Sequence, residues 1–250
     1  MKKIIFFTLA IILLTIPAEA YDSEKAFDFG KMAGKANLVL QGTVVNIDYR
    51  ESQGEGRQKS LPHTFVTFEV EDVLYGKAPN GRFTLRFFGG SSDDGTIMMM
   101  GGAPHFDLGD EDIIFVKGNG ASECPLIGCD KGRFRLFNNR VYNEYGQALI
   151  EDGKGNIIAG KRINHEAFTT FQIKGREYKI PSKKDEKPVD LTGTSNNSDP
   201  IEVNRFIDLL RQQIAASQPD DPHGIKRQAK NVDKNAPFSI VAPKQLRDHH

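Results

Sequence analysis

Apolar residues in the first part of the chain recur at every second position, the period that turns one face of a β-strand inward. Leu38, Leu40 and Val44 share one parity, after which Val45, Ile47 and Tyr49 take the other. A switch of face at Val44-Val45 predicts a β-bulge or a sharply coiled strand. Val66, Phe68 and Val70 alternate with Thr67, Glu69 and Glu71 in a second strand, and Val73 and Tyr75 then appear on the opposite parity. Phe83, Leu85 and Phe87 alternate with Arg82, Thr84 and Arg86 in a third. Residues 51–62, polar and glycine-rich, read as a long hairpin tip, and residues 76–81 as a shorter turn. Two strands that bend along their length suit a small closed barrel better than a flat sheet.

Gly89-Gly90 opens an irregular segment that continues to Asp112, too long for an ordinary connection and therefore a functional or a mobile loop. Residues 113–116 are continuously apolar, as in a central strand buried on both faces. Phe134 and Leu136 alternate with Arg133 and Arg135, Asn138-Asn139 suits a tight turn, and residues 141–145 return as the partner strand. Residues 148–150 and 156–158 form a further hairpin around Asp152-Gly153. Helical spacing appears only at the two ends of this pattern. Ala26, Phe27, Gly30 and Ala33 predict a short N-terminal helix capped by Ser23. In residues 199–217, Val203, Phe206, Ile207, Leu210 and Ile214 make an apolar stripe, with Asp199 as cap, Pro200 in the first turn and Glu202 completing a capping box. That stripe needs a surface, most simply the barrel.

The segments flanking these elements set the domain plan. Lys2 and Lys3, an apolar run over residues 4–16, Pro17 and then Ala18-Glu19-Ala20 read as a signal peptide over residues 1–20, with Tyr21 as the mature N-terminus. The apolar run is shorter than the roughly 20 residues that span a bilayer, so no membrane insertion is expected after cleavage. Residues 21–182 form the β-barrel domain with its added hairpins, 183–198 a polar linker, 199–217 the amphipathic helix and 218–250 a disordered tail. The fold class is thus mainly β, a small closed OB-like barrel with a helix at each end, exported to a bacterial periplasm or secreted.

Charge removes one class of partner. With 33 basic against 33 acidic residues the chain is neutral and has no footprint for nucleic acid. The 17 Phe and the absence of Trp point to a phenylalanine-rich core. Cys124 and Cys129, the only cysteines, are read as a local disulfide because export places them where thiols oxidise. Their spacing fits neither a thioredoxin-type pair nor, alone, a zinc site.

The runs ANLVLQGTVVNI, HTFVTFEVEDVLYGKAP, RFTLRFFGG and GAPHFDLGDEDIIFV, taken in order, resemble a pattern of exported bacterial proteins. The order is also similar to that of the netrin-like module, the OB-type barrel found in tissue inhibitors of metalloproteinases, over residues 36–137. The resemblance implies the barrel. Inhibition in that family uses an N-terminal cysteine that reaches the protease zinc, whereas the expected N-terminus here is Tyr21, and Asp110 follows Gly109 where the pattern has Glu.

No Gly-x-Ser-x-Gly elbow, His-Glu-x-x-His helix or phosphate-binding glycine loop is present, so no catalytic residue and no cofactor are assigned. The leading reading is a non-enzymatic binding protein whose loops meet a protein or an envelope polymer. Its binding-loop residues are Gly89, Gly90, Asp93, Asp94, Pro104, His105 and Phe106. A second reading is metal-dependent: Met98-Met99-Met100 with His105 offers soft ligands to copper, and Asp93, Asp94, Asp107, Asp110, Glu111 and Asp112 offer oxygens to calcium. An uncharacterised hydrolase is the third.

Overall fold

The bends expected in the first two strands are present as breaks in their pairing. A computed structural model describes residues 26–51, 61–79, 81–120, 122–163, 165–179 and 199–223. Strands β1 (Leu38–Glu51) and β2 (Pro62–Gly76) run antiparallel, with register shifts between Val39/Leu40, Gln41/Gly42 and Val44/Asn46. The last shift leaves Val45 without a cross-strand partner, which is the bulge that the switch of parity predicts. The earlier shifts reset β2, so Leu74 and Tyr75 are buried while Val73 turns outward, against the alternation read from the sequence.

β3 (Arg82–Phe88) continues the meander beside β2, and β6 (Glu111–Val116) returns to the free side of β1. The spatial order β6-β1-β2-β3 is a Greek key, its long return carrying the small hairpin β4 (Gly90–Ser91) and β5 (Ile97–Met98). From β6 the sheet grows the other way through β7 (Arg133–Phe137), β8 (Arg140–Asn143), β9 (Gln147–Glu151) and β10 (Ile157–Arg162). Asn138 and Asn139, both at positive φ, turn β7 into β8 as expected.

The result is an open sheet of eight strands, and the closed barrel expected from the sequence does not form. Both edges of β7 are occupied, by β6 and β8, so β3 cannot close on β7, and it pairs with no strand but β2 among the described residues. The outer edge of β3 is instead met by a connecting segment. Asn119 accepts from Arg86 N and donates to Thr84 O, and Phe88 N donates to Glu123 O. The Cys124–Cys129 disulfide is present just beyond, and Leu126 packs into the core beside it.

Each face of the sheet carries its own core, which is why the apolar run of β6 is buried throughout: Ile113 and Phe115 point to one side, Ile114 and Val116 to the other. On the first face lie α1 (Phe29–Ala33) and α3 (Val203–Ser217), whose Phe29 and Phe206 rings meet edge to face at 5.2 Å above Phe134 and Phe115. α1 begins at Phe29 behind an Asp28 cap, later than the sequence spacing predicts. α3 keeps the predicted stripe, but the capping box does not form. Ile201 is drawn into backbone pairing with Val141 and Leu149, which holds the preceding residues extended and starts the helix at Val203. The second face gathers Leu40, Phe68, Leu85 and Phe87 under Phe106, which descends from the long loop. A third, smaller cluster joins Tyr142 and Ile163 to Phe168 of α2 (Glu166–Thr169), ahead of the hairpin β11 (Thr170–Ile173) and β12 (Arg176–Lys179). The expected signal peptide, linker and most of the tail lie outside the described residues.

Candidate binding site

Gly89 and Gly90 allow the long loop to fold back onto the sheet. Both have positive φ, +93° and +128°, and a Cβ on Gly90 would stand 2.5 Å from Thr64 Oγ1 and 2.9 Å from Tyr49 Cδ1. Thr64 Oγ1 donates to Gly89 O at 2.9 Å, and Gly89 N donates to Pro62 O, so the start of the β4–β5 hairpin is fastened to β2. The outgoing leg, Pro104 to Phe106, lies across from it. Between them and β11 opens a pocket of ≈ 530 Å³, open mouth included, lined by Tyr49, Thr64, Met98, Met100, His105 and Phe171 among others.

The wall Pro104–Phe106 is held from behind by a buried ion cluster. Arg133 is completely buried; its Nε donates to Asp112 at 2.8 Å, Nη1 to Glu144 at 3.0 Å and Nη2 to Asp110 at 2.6 Å, while its guanidinium lies 4.0 Å from the Phe106 ring centroid. Nη1 also donates to His105 O, and Glu144 accepts from His105 N, so one arginine and one carboxylate grip the same peptide. Arg135 adds a bond to Asp110 at 3.0 Å. Burial alone would lower the pKa of Arg133, but Asp112, Glu144 and Asp110 outweigh it and raise it. Burial lifts the carboxyl of Asp110 as well, yet Arg133 and Arg135 leave it below its ordinary value. For Asp112 burial wins and the pKa rises to about 6, its Oδ2 accepting no hydrogen bond among the described residues.

His105 faces this cluster with its backbone and the pocket with its ring. The imidazole stacks on Phe171 at 3.9 Å and 4°. Burial, then the charges of Arg133 and Arg135, depress its pKa to about 4, so the ring is uncharged at neutral pH. Tyr49 donates to Gln172 O at 3.4 Å and thereby ties the β1 side of the pocket to β11; burial pushes its phenol up to about 12.

Five of the seven binding-loop residues, Gly89, Gly90, Pro104, His105 and Phe106, therefore line one pocket. Asp93 and Asp94 do not. They sit in the tip of the hairpin, where Asp94 accepts from Thr96 N. The acidic residues expected to gather around calcium are spent otherwise, Asp110 and Asp112 on arginines and Asp107 on Gln172 N. Among the described residues no group of three or more His, Cys, Asp or Glu could hold a metal ion. Arg133, Glu144, Phe171 and Gln172 were not singled out by the sequence pattern. The chain matches no protein-family model and no curated protein.

Proposed function

We propose that this is an exported, non-enzymatic binding protein whose pocket-bearing face docks a protein partner. The observation that carries the reading is the distribution of exposed apolar side chains. Of the five large ones exposed among the described residues, Met99 (53%) lines the pocket, and Leu108 (68%) and Leu61 (41%) lie in the chain within two residues of groups that line it or hold it. Leu108 crowns the turn between Phe106 and Gly109, Met99 lies in the pocket wall, and Leu61 precedes the Pro62 whose carbonyl holds Gly89. Exposed apolar side chains beside a backbone fixed from behind are what a protein interface uses as anchors. The Greek key β6-β1-β2-β3 supports an OB-type ancestry of the netrin-like kind, in which connecting loops do the binding. The basic, apolar and small-residue pattern of residues 1–20 supports export.

The test is capture from envelope and secreted extracts by the wild-type chain beside Leu108→Asp. A partner retained by the wild type and lost by the variant, at equal melting temperature, is the expected outcome. Equal recovery of every captured protein by both would place the interface elsewhere.

A further inference from the structure

We propose that the pocket binds one Cu(I) ion through thioether sulfurs of the Met98–Met100 run and the imidazole of His105. All four residues line the same pocket, and no charged residue lines it. Those donors are soft or borderline and electrically neutral. A hard dication such as Ca²⁺ requires carboxylate or carbonyl oxygens, and structural Zn²⁺ favours thiolates, whereas thioethers and imidazole suit Cu(I).

The histidine supplies the second observation. Its hydrogen bonds among the described residues run through the backbone alone, N to Glu144 and O from Arg133. Among the described residues the ring makes its stack on Phe171 and no hydrogen bond through either nitrogen. A neutral imidazole keeps one nitrogen lone pair that a ligand entering the pocket can take. Its neighbours in the pocket include thioethers, which donate no hydrogen bond, but a metal ion can take the nitrogen lone pair. The methionine run is held in place rather than hanging free. Met98 pairs with Gly90, and a Cβ on Gly89 would come within 2.7 Å of Met98 O, so the glycine lets this backbone sit directly on the sheet. Met98 and Met100 are half-buried, Met100 against the second core.

The inference needs no partner protein, and its test uses the full chain alone. Under anaerobic reducing conditions, Cu(I) is titrated in competition with bicinchoninate. One tightly held equivalent is expected, and its affinity should fall in the triple variant Met98→Leu, Met99→Leu, Met100→Leu. Loss of even an outer-shell partner weakens a metal site about 10–100-fold, so the drop should be at least of that order. Leucine conserves volume, and the fold should persist. Should the variant unfold, Ag(I) added to the wild type decides by NMR, since the methionine methyl and His105 ring signals should shift together. Absence of competition with bicinchoninate, affinity undiminished in a folded triple variant, or His105 signals unmoved by Ag(I) would each overturn the proposal.

Discussion

Asp112 sets the balance of the buried cluster. Two arginines, Arg133 and Arg135, face three carboxylates, Asp110, Asp112 and Glu144, so the interior holds one negative group more than it has positive ones. Burial raises the pKa of Asp112 from 3.8 to about 6. The folded state then binds a proton that the unfolded chain has released between these two values. Stability from this group rises as pH falls through that window, and its penalty is full above pH ~6. Asp112→Asn removes the titration while keeping an oxygen for Arg133 Nε. Its stability relative to the wild type should be greater at pH ~7.5 than at pH ~5, by about 1 kcal/mol, read from urea unfolding at both values. An unchanged difference would assign the proton to Glu144 instead, whose pKa burial also raises. None of this was legible in the sequence. Arginines alternating with Phe134 and Leu136 read as solvent-facing, yet Arg133 is fully buried and Arg135 nearly so, because β7 is covered on both faces. What the sequence lacks is the distance in space between Arg133 and residues about twenty positions away.

At the scale of elements, the β4–β5 hairpin depends on two glycines. Gly90→Ala would combine a left-handed φ with a Cβ against Thr64 and Tyr49, neither of which is a flexible chain end. The expected cost is about 1–3 kcal/mol, with the hairpin lifted from β2 and faster hydrogen exchange at Gly89 N. Wild-type protection at that amide in Gly90→Ala would show that the hairpin tolerates the methyl group. Here the sequence was more informative. The Gly89-Gly90 pair and the loop after it were legible as a site because their length and composition are wrong for a simple connection. The β11 wall of the pocket was not, since Phe171 and Gln172 come from a remote segment with no distinguishing pattern. The start of α3 shows the same limit: local signals at Asp199 and Glu202 describe a capping box, and long-range pairing of Ile201 with Leu149 and Val141 overrides it.

For the molecule as a whole, the open sheet makes α3 structurally necessary. A closed barrel would bury its own interior, whereas this sheet leaves the face of Phe115 and Phe134 to be covered from outside. α3 buries Val203, Phe206, Ile207, Leu209, Leu210 and Ile214 there, each worth about 2 kcal/mol. Tyr75 donates to Gln218 at 2.8 Å, and Arg211 pairs with Asp72 at 2.6 Å, fixing the helix along β2. Truncation after residue 198 should abolish cooperative thermal unfolding and expose dye-binding apolar surface. A cooperative transition in the shortened chain would mean that α1 and the sheet suffice. The mainly-β character and both terminal helices were readable from periodicity. Closure was not, because bulged strands bend equally well into a barrel or an open, coiled sheet.

The carboxamide of Asn119, bonded to Thr84 and Arg86 on the outer margin of β3, has one further effect. A bare strand margin invites an identical molecule to add its own strand and extend the sheet from copy to copy. Asn119 offers a carbonyl and an amide in the places where that incoming backbone would have to bond. Together with the Phe88–Glu123 bond, this side chain takes up the groups on that margin through which a second copy would have to add its strand.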